Sequence, residues 1–343
     1  MIRLSQLRIG ILGTAKIARS FVKGVQPSER VSVTAVASRD AGRAQAFAAE
    51  LGVARHFGSY EALLADRDID AIYNPLPNGL HAEWSIAALS AGKHVLCEKP
   101  LAASAAEARA MFDAGRRHRM HVVEAYPYLA QPQTLKMREL LKDGAIGDAR
   151  LIQASFGFTL TDPNNIRLNP ALAGGALMDV GVYPVSLIRI VAGQRPVRVQ
   201  AAAQWTQEEG RAGAGVDNAL AATLEFTNGL LAQVSCSFAS ALHRQALIVG
   251  SAGVIQTTFR NHTSAELPGV LSLRTGSGAQ AVDGIIETPP INGFLAEAES
   301  FERLVREGPA HWLGATPEES IDIAMTLEAL LRSARSGSRE LVT

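Results

Sequence analysis

The sequence has only two cysteines, Cys97 and Cys236, in 343 residues. That count excludes a disulfide framework and points to a reducing compartment. It also lacks any Cys/His cluster at metal-ligand spacing, so no metal is expected. His118, His121 and Glu124 recur every three residues, but a helix is predicted to end near His118 and a strand to begin at His121, so their side chains diverge. Excess charge of either sign is missing: Lys+Arg and Asp+Glu both number 33. Nothing is therefore available to neutralise a nucleic-acid backbone or an anionic membrane, and neither partner is expected. Residues 1–7 contain no apolar signal-peptide core, and no apolar run is read as long enough to span a membrane, so a cytoplasmic protein is expected. No Gly-x-Ser-x-Gly elbow follows a predicted strand, which removes the usual hydrolase reading. Internal repeats and low-complexity segments are absent. What remains is an ordinary folding composition, 47% apolar and 19% charged, in a chain long enough for two domains.

Through residue 126 short apolar runs alternate with helix-like stretches, the pattern of a doubly wound parallel sheet. Strands are predicted at 7–12, 31–37, 55–57, 71–73, 94–97 and 121–125, and helices at 16–25, 41–51, 60–65, 81–91 and 104–118. Ser104 with Glu107 reads as a capping box. Beyond 126 a helix at 134–142 leads to a strand at 150–160, then to Gly174-Gly175 and a helix ending near Val191. Residues 196–289 read as successive strands, with Thr227-Asn228-Gly229 as a hairpin turn. Two helices close the chain, the second opening at Thr316-Pro317. The expected division is a dinucleotide-binding domain over 1–126 and an α+β domain with a large, open, mostly antiparallel sheet over 127–343.

Two turns carry chemistry. Gly13-Thr14-Ala15-Lys16-Ile17-Ala18 follows the first strand and opens a helix, a variant of Gly-x-Gly-x-x-Gly with alanine at the second and third glycines. A helix N-terminus there offers N–H groups and a positive dipole end to phosphates; a plain tight turn is the alternative. The second strand ends not in an acid but in Ser38-Arg39-Asp40, with Arg43 one turn on. Guanidinium groups bind phosphate oxygens bidentately, so this end suits the 2′-phosphate of NADP, with NAD as the alternative cofactor. The plain reading is two solvated arginines beside an Asp40 N-cap. Cys97-Glu98-Lys99-Pro100 puts a lysine at the carboxyl end of another strand, where sheets of this kind bind ligands. Such a lysine can orient a substrate hydroxyl and stabilise an alkoxide, or simply pair with Glu98 at the surface.

Together with the segments 73–81 and 174–184, these turns resemble the glucose–fructose oxidoreductase/inositol dehydrogenase (Gfo/Idh/MocA) family over essentially the whole chain, and within it the NADP-dependent D-xylose dehydrogenase and dimeric dihydrodiol dehydrogenase branch. The resemblance implies a Rossmann domain with cofactor contacts from Gly13, Thr14, Ala15, Lys16, Ile17, Ser38, Arg39, Arg43, Pro75, Leu76, Asn78, His81, Glu98 and Lys99. It implies that Lys99 is catalytic, that Pro100 is often cis, that Tyr183 replaces the histidine acid/base of other members, and that Asp179 is its partner. Spacing i,i+4 places Asp179 and Tyr183 on one helix face, although Pro184 predicts a kink or a helix start there. A tyrosine on a core helix is the bland alternative.

The resemblance further implies reversible hydride transfer at a sugar or polyol carbon and a homodimer or homotetramer formed through the second sheet. Tyr126 and the loop cation Arg167 are candidate substrate contacts, Arg167 being equally readable as structural. Leu129 and Gln131 stand where sugar dehydrogenases of this type often carry arginine and histidine, which shifts the expected pocket toward a less polar or differently oriented substrate. Dihydrodiol or dicarbonyl chemistry is the nearer alternative. A non-catalytic, nucleotide-dependent regulator is the more distant one, opposed by the retention of Lys99 and Tyr183.

Overall fold

The computed structural model describes residues 6–206, 215–258, 266–276 and 280–343; most of the segment 1–7, read above for a signal-peptide core, lies outside them. The chain divides into two compact units, one of Met1–Gln131 with Ile291–Pro317, the other of Pro132–Pro290 with Glu318–Thr343.

In the first unit, β1 (Leu7–Leu12), β2 (Val31–Ala37), β3 (Arg55–Phe57), β4 (Ala71–Asn74), β5 (His94–Glu98) and β6 (Val122–Ala125) form one parallel sheet in the order β3-β2-β1-β4-β5-β6. The crossovers carry α1 (Lys16–Val25), α2 (Ala41–Leu51), α3 (Tyr60–Leu64), α4 (His81–Ser90) and α5 (Ala105–His118). Central strands are apolar on both faces, as a sheet covered by helices on each side requires: Ile9, Ile11, Ile72, Tyr73, Val95 and Leu96 are all buried. On α1 the buried positions Ala18, Phe21, Val22 and Val25 make one helical stripe, and Phe21 stacks on Tyr73 with centroids 3.9 Å apart. Local chemistry sets the boundaries. Asp40, Ser59 and Ser104 accept N-cap hydrogen bonds, Glu107 accepts one from the Ala103 amide, and Gly52 stops α2 at φ +70°. Strand order reverses between β1 and β4, the crevice position at which such sheets bind ligands.

The second unit opens with α6 (Pro132–Lys142) and β7 (Ala149–Thr159), then a π-helical turn (Leu177–Gly181) running into α7 (Val182–Ala192). Seven strands follow: β8 (Arg198–Trp205), β9 (Asp217–Glu225), β10 (Leu231–Ser237), β11 (Ala239–Gly250), β12 (Gly253–Thr257), β13 (Gly269–Thr275) and β14 (Val282–Thr288). After α8 (Gly293–Glu307), α9 (Pro317–Ser336) and β15 (Glu340–Leu341) complete the chain. The nine-stranded sheet runs β14-β13-β12-β11-β7-β10-β9-β8-β15 and is antiparallel except where β10 lies parallel to β7. Helices α7 and α9 of this unit are tied by a buried ion pair, Arg189 Nε to Asp322 Oδ2 at 2.7 Å, and α9 is pinned to β8 by Ser333 Oγ accepting from the Ala201 amide.

Two expectations need amendment. Residues 291–317, assigned by sequence to the second domain, pack in the first unit. The stripe Phe294, Ala298, Phe301 and Leu304 on α8 enters its core, with Phe294 edge-on to Phe21 at 5.9 Å. An amphipathic stripe does not say which core it will join. Residues 170–192 are also long and apolar enough to cross a membrane by length and composition, contrary to the expectation that no run is; 72% of that window is buried inside the protein.

Candidate active site

In the first unit, the carboxyl ends of β1, β2, β4 and β5 gather the residues singled out by sequence. Gly13 takes φ +84°, donates its N–H to the Ala37 carbonyl at 2.7 Å, and would crowd Leu76 if it bore a Cβ. Thr14, Ala15, Lys16 and Ile17 follow into α1. Ala15 is extended and supplies no side-chain cap to the first-turn N–H groups. At the end of β2, Ser38 is buried and its Oγ accepts from the Asp40 amide. Asp40 caps α2 by accepting from the Arg43 amide, as the plain reading had it. Arg39 and Arg43 are nonetheless exposed, Arg43 by 77%; Arg39 is hydrogen-bonded to the Tyr60 hydroxyl and Arg43 pairs loosely with Asp40 at 3.6 Å.

After β4, Pro75 and Leu76 are buried and Asn78 opens a short 3₁₀ turn. His81 faces inward: Nδ1 lies 2.8 Å from the Pro100 carbonyl and Nε2 2.7 Å from the Leu76 carbonyl. Both nitrogens are therefore engaged by backbone, and neither is presented to a ligand as the resemblance implied. Glu98 is also buried, accepting from the Tyr73 hydroxyl at 2.5 Å. Lys99 is half-buried and precedes a cis peptide to Pro100. The next residue is held by the buried Glu124, whose Oε1 accepts from the Leu101 amide at 2.9 Å. Tyr126 is buried edge-on to Tyr128 at 6.0 Å, and Leu129 and Gln131 are buried as well.

Sequence reasoning missed Glu297. It sits on α8, fully buried, and burial followed by the charge of Glu98 pushes its carboxyl well above the ordinary range. Only the unpredicted return of α8 to this unit brings the two acids together.

In the second unit, the glycine pair sets up the tyrosine helix. Gly175, at φ +118°, lies so close under Asp217 that any side chain would collide with the carboxylate. Its N–H donates to the Arg167 carbonyl, and its carbonyl accepts from the Asp179 amide at 3.0 Å. Arg167 Nε in turn donates to Asp179 Oδ2 at 2.6 Å. The structure thus joins two predicted site residues as an ion pair, with Arg167 partly exposed and Asp179 nearly buried. Pro184 stands two residues past the start of α7 at Val182, in keeping with the helix start expected there. It falls in the first turn of α7, and the missing N–H is accommodated upstream by the π turn holding Asp179. The simple i,i+4 geometry between Asp179 and Tyr183 therefore does not apply. Tyr183 is 4% exposed, with its ring 5.5 Å from Phe156, over which Arg244 stacks at 5.1 Å.

Asp217 was also missed. Its Oδ2 accepts from the Leu177 amide at 2.6 Å, closing the start of the π turn. Burial pushes its carboxyl up to about 7, against the Leu177 hydrogen bond and the charge of Arg335. An acid at the start of an alternating strand gives no sign of facing inward. Among the described residues no group of three His, Cys, Asp or Glu side chains is placed to hold a metal.

Residues 7–126 match the oxidoreductase family with an NAD-binding Rossmann fold, GFO/IDH/MocA, and residues 134–256 match the GFO/IDH/MocA C-terminal domain. D-xylose 1-dehydrogenase (NADP(+)) 2 of Haloferax volcanii is 38% identical over 97% of this chain and 98% of its own. The chain belongs to the GFO/IDH/MocA family. This oxidoreductase is also 35% identical to trans-1,2-dihydrobenzene-1,2-diol dehydrogenase of Danio rerio, over 73% of this chain and 74% of that one. Among solved structures it resembles KijD10, a 3-ketoreductase from Actinomadura kijaniata in complex with TDP-benzene and NADP. The TM-score is 0.81 at 30% identity, covering 97% of this chain and 98% of that one. Lysine and tyrosine mutants of that reductase have been solved; the two altered positions lie 84 residues apart, as do Lys99 and Tyr183 here.

Proposed function

We propose that this GFO/IDH/MocA oxidoreductase uses NADP(H) to interconvert a hydroxyl and a carbonyl on a sugar or polyol. The pairing of a dinucleotide-type sheet with Lys99 at the end of β5 carries the reading. The residues present fit the cofactor. Gly13 leaves room where a side chain would crowd Leu76, the first turn of α1 has no side-chain cap, and Arg39 and Arg43 are exposed at the end of β2 in place of an acid. Bound there, the dinucleotide supplies or accepts the hydride at nicotinamide C4. Lys99 stabilises the negative charge developing on the substrate oxygen, and Tyr183 takes or returns its proton. Asp179, held by Arg167, orients the substrate beside Tyr183.

Dihydrodiol or dicarbonyl chemistry is the second reading, favoured by the apolar Leu129 where an arginine was expected and by the Danio rerio relative. A panel of aldoses, polyols, dihydrodiols and dicarbonyls, followed by absorbance of the reduced nicotinamide, separates the two. On the best substrate, Lys99→Met and Tyr183→Phe should each lower kcat ~10²–10⁴-fold while the dinucleotide still binds. The double variant should lose much less than the product of the single losses, because both side chains act on one oxygen. Near-normal turnover by Tyr183→Phe would remove the tyrosine from the chemistry.

The reading includes a homodimer or homotetramer built through the second sheet. One face of that sheet presents Gln153, Gln200, Gln233, Gln245 and Gln256 beside small residues, around a shallow concavity of about 690 Å³. None of the predicted site residues lines it, which suits a protein contact better than a substrate. A cytoplasmic location is consistent with Cys97 and Cys236 both being buried thiols.

A further inference from the structure

Arg19 directly follows the Gly13–Ala18 motif and has no role in the reaction proposed above, yet its guanidinium is held at three points beside that turn. Nη1 donates to the Thr14 carbonyl at 2.8 Å. Nε reaches both carboxylate oxygens of Glu50, at 3.2 and 3.0 Å, and the group lies 5.0 Å from the ring centroid of Phe47. Glu50 and Phe47 both belong to α2, and Phe47 is buried, so α2 gives the arginine a fixed platform. The ion pair alone contributes little to stability, because the two side chains are 37% and 46% exposed. The third partner is what distinguishes this arginine: a backbone carbonyl inside the turn that opens α1.

That turn has reason to need an outside clamp. Ala15 stands where the dinucleotide fingerprint has its second glycine, and as the N-cap of α1 it supplies no side-chain hydrogen bond. The peptide joining Thr14 to Ala15 is therefore not fixed by a cap at Ala15. It is trans, so its C=O and N–H lie on opposite sides of one plane. Holding the Thr14 carbonyl against Arg19, on the α2 side, turns the Ala15 N–H the other way. Glu50 matches the arginine's charge and Phe47 covers its ring-facing side, which suits a group acting through the backbone rather than one that binds phosphate itself. We propose that Arg19 is a positioning residue for the dinucleotide: clamped to α2, it fixes the Thr14–Ala15 peptide so that the Ala15 N–H is aimed at the cofactor's pyrophosphate. The role rests on the assignment of the Gly13 turn to the dinucleotide, and it is separate from that of Arg39, which reads the 2′-phosphate in the proposed function.

The test is equilibrium titration of the full chain with NADP, NAD and adenosine 2′-monophosphate, which carries the 2′-phosphate but no pyrophosphate. Arg19→Met should weaken NADP and NAD by the same factor, about tenfold, as one charge-assisted hydrogen bond to the pyrophosphate loses its aim. Adenosine 2′-monophosphate should bind the variant as it binds the wild type. Arg19→Lys keeps the charge without the fork, can reach Glu50 or the Thr14 carbonyl but not both, and should fall between; it carries the comparison if Arg19→Met does not fold. Glu50→Gln leaves the carbonyl contact in place and should change dinucleotide affinity little. Wild-type dinucleotide affinity in both arginine variants overturns the proposal, as does a loss confined to NADP. An equal loss for adenosine 2′-monophosphate would show a general disturbance of the unit, and an equal loss in Glu50→Gln would show that only the α1–α2 ion pair matters; either result overturns the clamp. A wild type that binds neither dinucleotide ends the proposed function itself, whereas one that binds them leaves the variants to decide the clamp alone.

Discussion

Asp217→Asn tests the buried support of the tyrosine helix. Asp217 is 2% exposed, and its Oδ2 holds the Leu177 amide at the start of the turn that carries Asp179 and leads to Tyr183. Burial raises its carboxyl from the ordinary 3.8 to about 7. The folded protein therefore keeps a proton on this group between about pH 4 and 7 while the unfolded chain releases it. The stabilising contribution is full below pH 3.8 and is lost as pH rises through 7. Each pK unit is worth about 1.4 kcal/mol, so the shift of roughly three units amounts to about 4 kcal/mol. Asparagine has the same shape, can accept from Leu177, and does not ionise, so its contribution is flat across this window. Its NH₂ group adds a cost that is independent of pH, which makes the slope the readout rather than the intercept.

The assay is denaturation of wild type and variant side by side from pH 4.5 to 8.5. Over this window, which starts above 3.8, their difference should move in favour of the variant by about 3 kcal/mol, each kcal/mol corresponding to roughly 2–4 °C in a unit of this size. Taking the difference removes other titrations. His94, pushed down to about 4 by burial and by the stacked His121, gives the opposite slope: its contribution is present above 6.5 and lost as pH falls toward 4. Parallel profiles for the two proteins would refute the assignment of a raised carboxyl to Asp217.

Arg39→Ala should weaken NADP binding roughly ten- to a hundredfold, the value of one charge-assisted hydrogen bond, and leave NAD binding nearly unchanged; equal losses in titration would show that the arginine does not read the 2′-phosphate. Gly175→Ala should destabilise the second unit and lower kcat, because the backbone is at φ +118° and the methyl meets Asp217; a wild-type melting curve would contradict that packing. In sedimentation the protein should run as a dimer or tetramer at micromolar concentration, and paired Gln153→Glu and Gln233→Glu substitutions should dissociate it, those two side chains being hydrogen-bonded neighbours at 2.7 Å on the open face; a wild-type monomer would end the interface reading.

Much of the first unit was legible because its boundaries are set locally. β1, β2, α1 and α2 match the predicted spans, Ser104 caps α5 and the Gly229 turn at φ +81° forms as read, while Glu107 reaches back one residue further, to the Ala103 amide. Lys99 and the Gly13 turn could be placed in the fold for the same reason: each lies within a few residues of a strand end. The return of α8 was not legible, since Phe294, Ala298, Phe301 and Leu304 would suit either core. Nor was the parallel β7–β10 pair, which depends on strands some 80 residues apart choosing each other in an otherwise antiparallel sheet. His81 was noticed but its direction was not, because a histidine opening a helix gives no sign of turning inward.

The residues that escaped sequence reading share a physical character. Glu297, Asp217 and the inward ring of His81 are all buried polar groups that touch or bias the backbone or charge around a proposed chemical group. Each opposes stability on its own, since desolvating a polar or ionisable group costs more than a single hydrogen bond returns. In each case an apolar residue of similar volume would pack without that cost, but it could not hold the Leu177 amide or the Pro100 carbonyl at a fixed distance. Tyr183 and Lys99 need fixed positions more than the units need the last increment of stability, because a displacement of about 1 Å can cost a hundredfold in rate. On that reasoning, Asp217→Asn should separate stability from turnover: its stability relative to the wild type rises with pH with no matching gain in kcat, whereas a purely structural polar group would move both together.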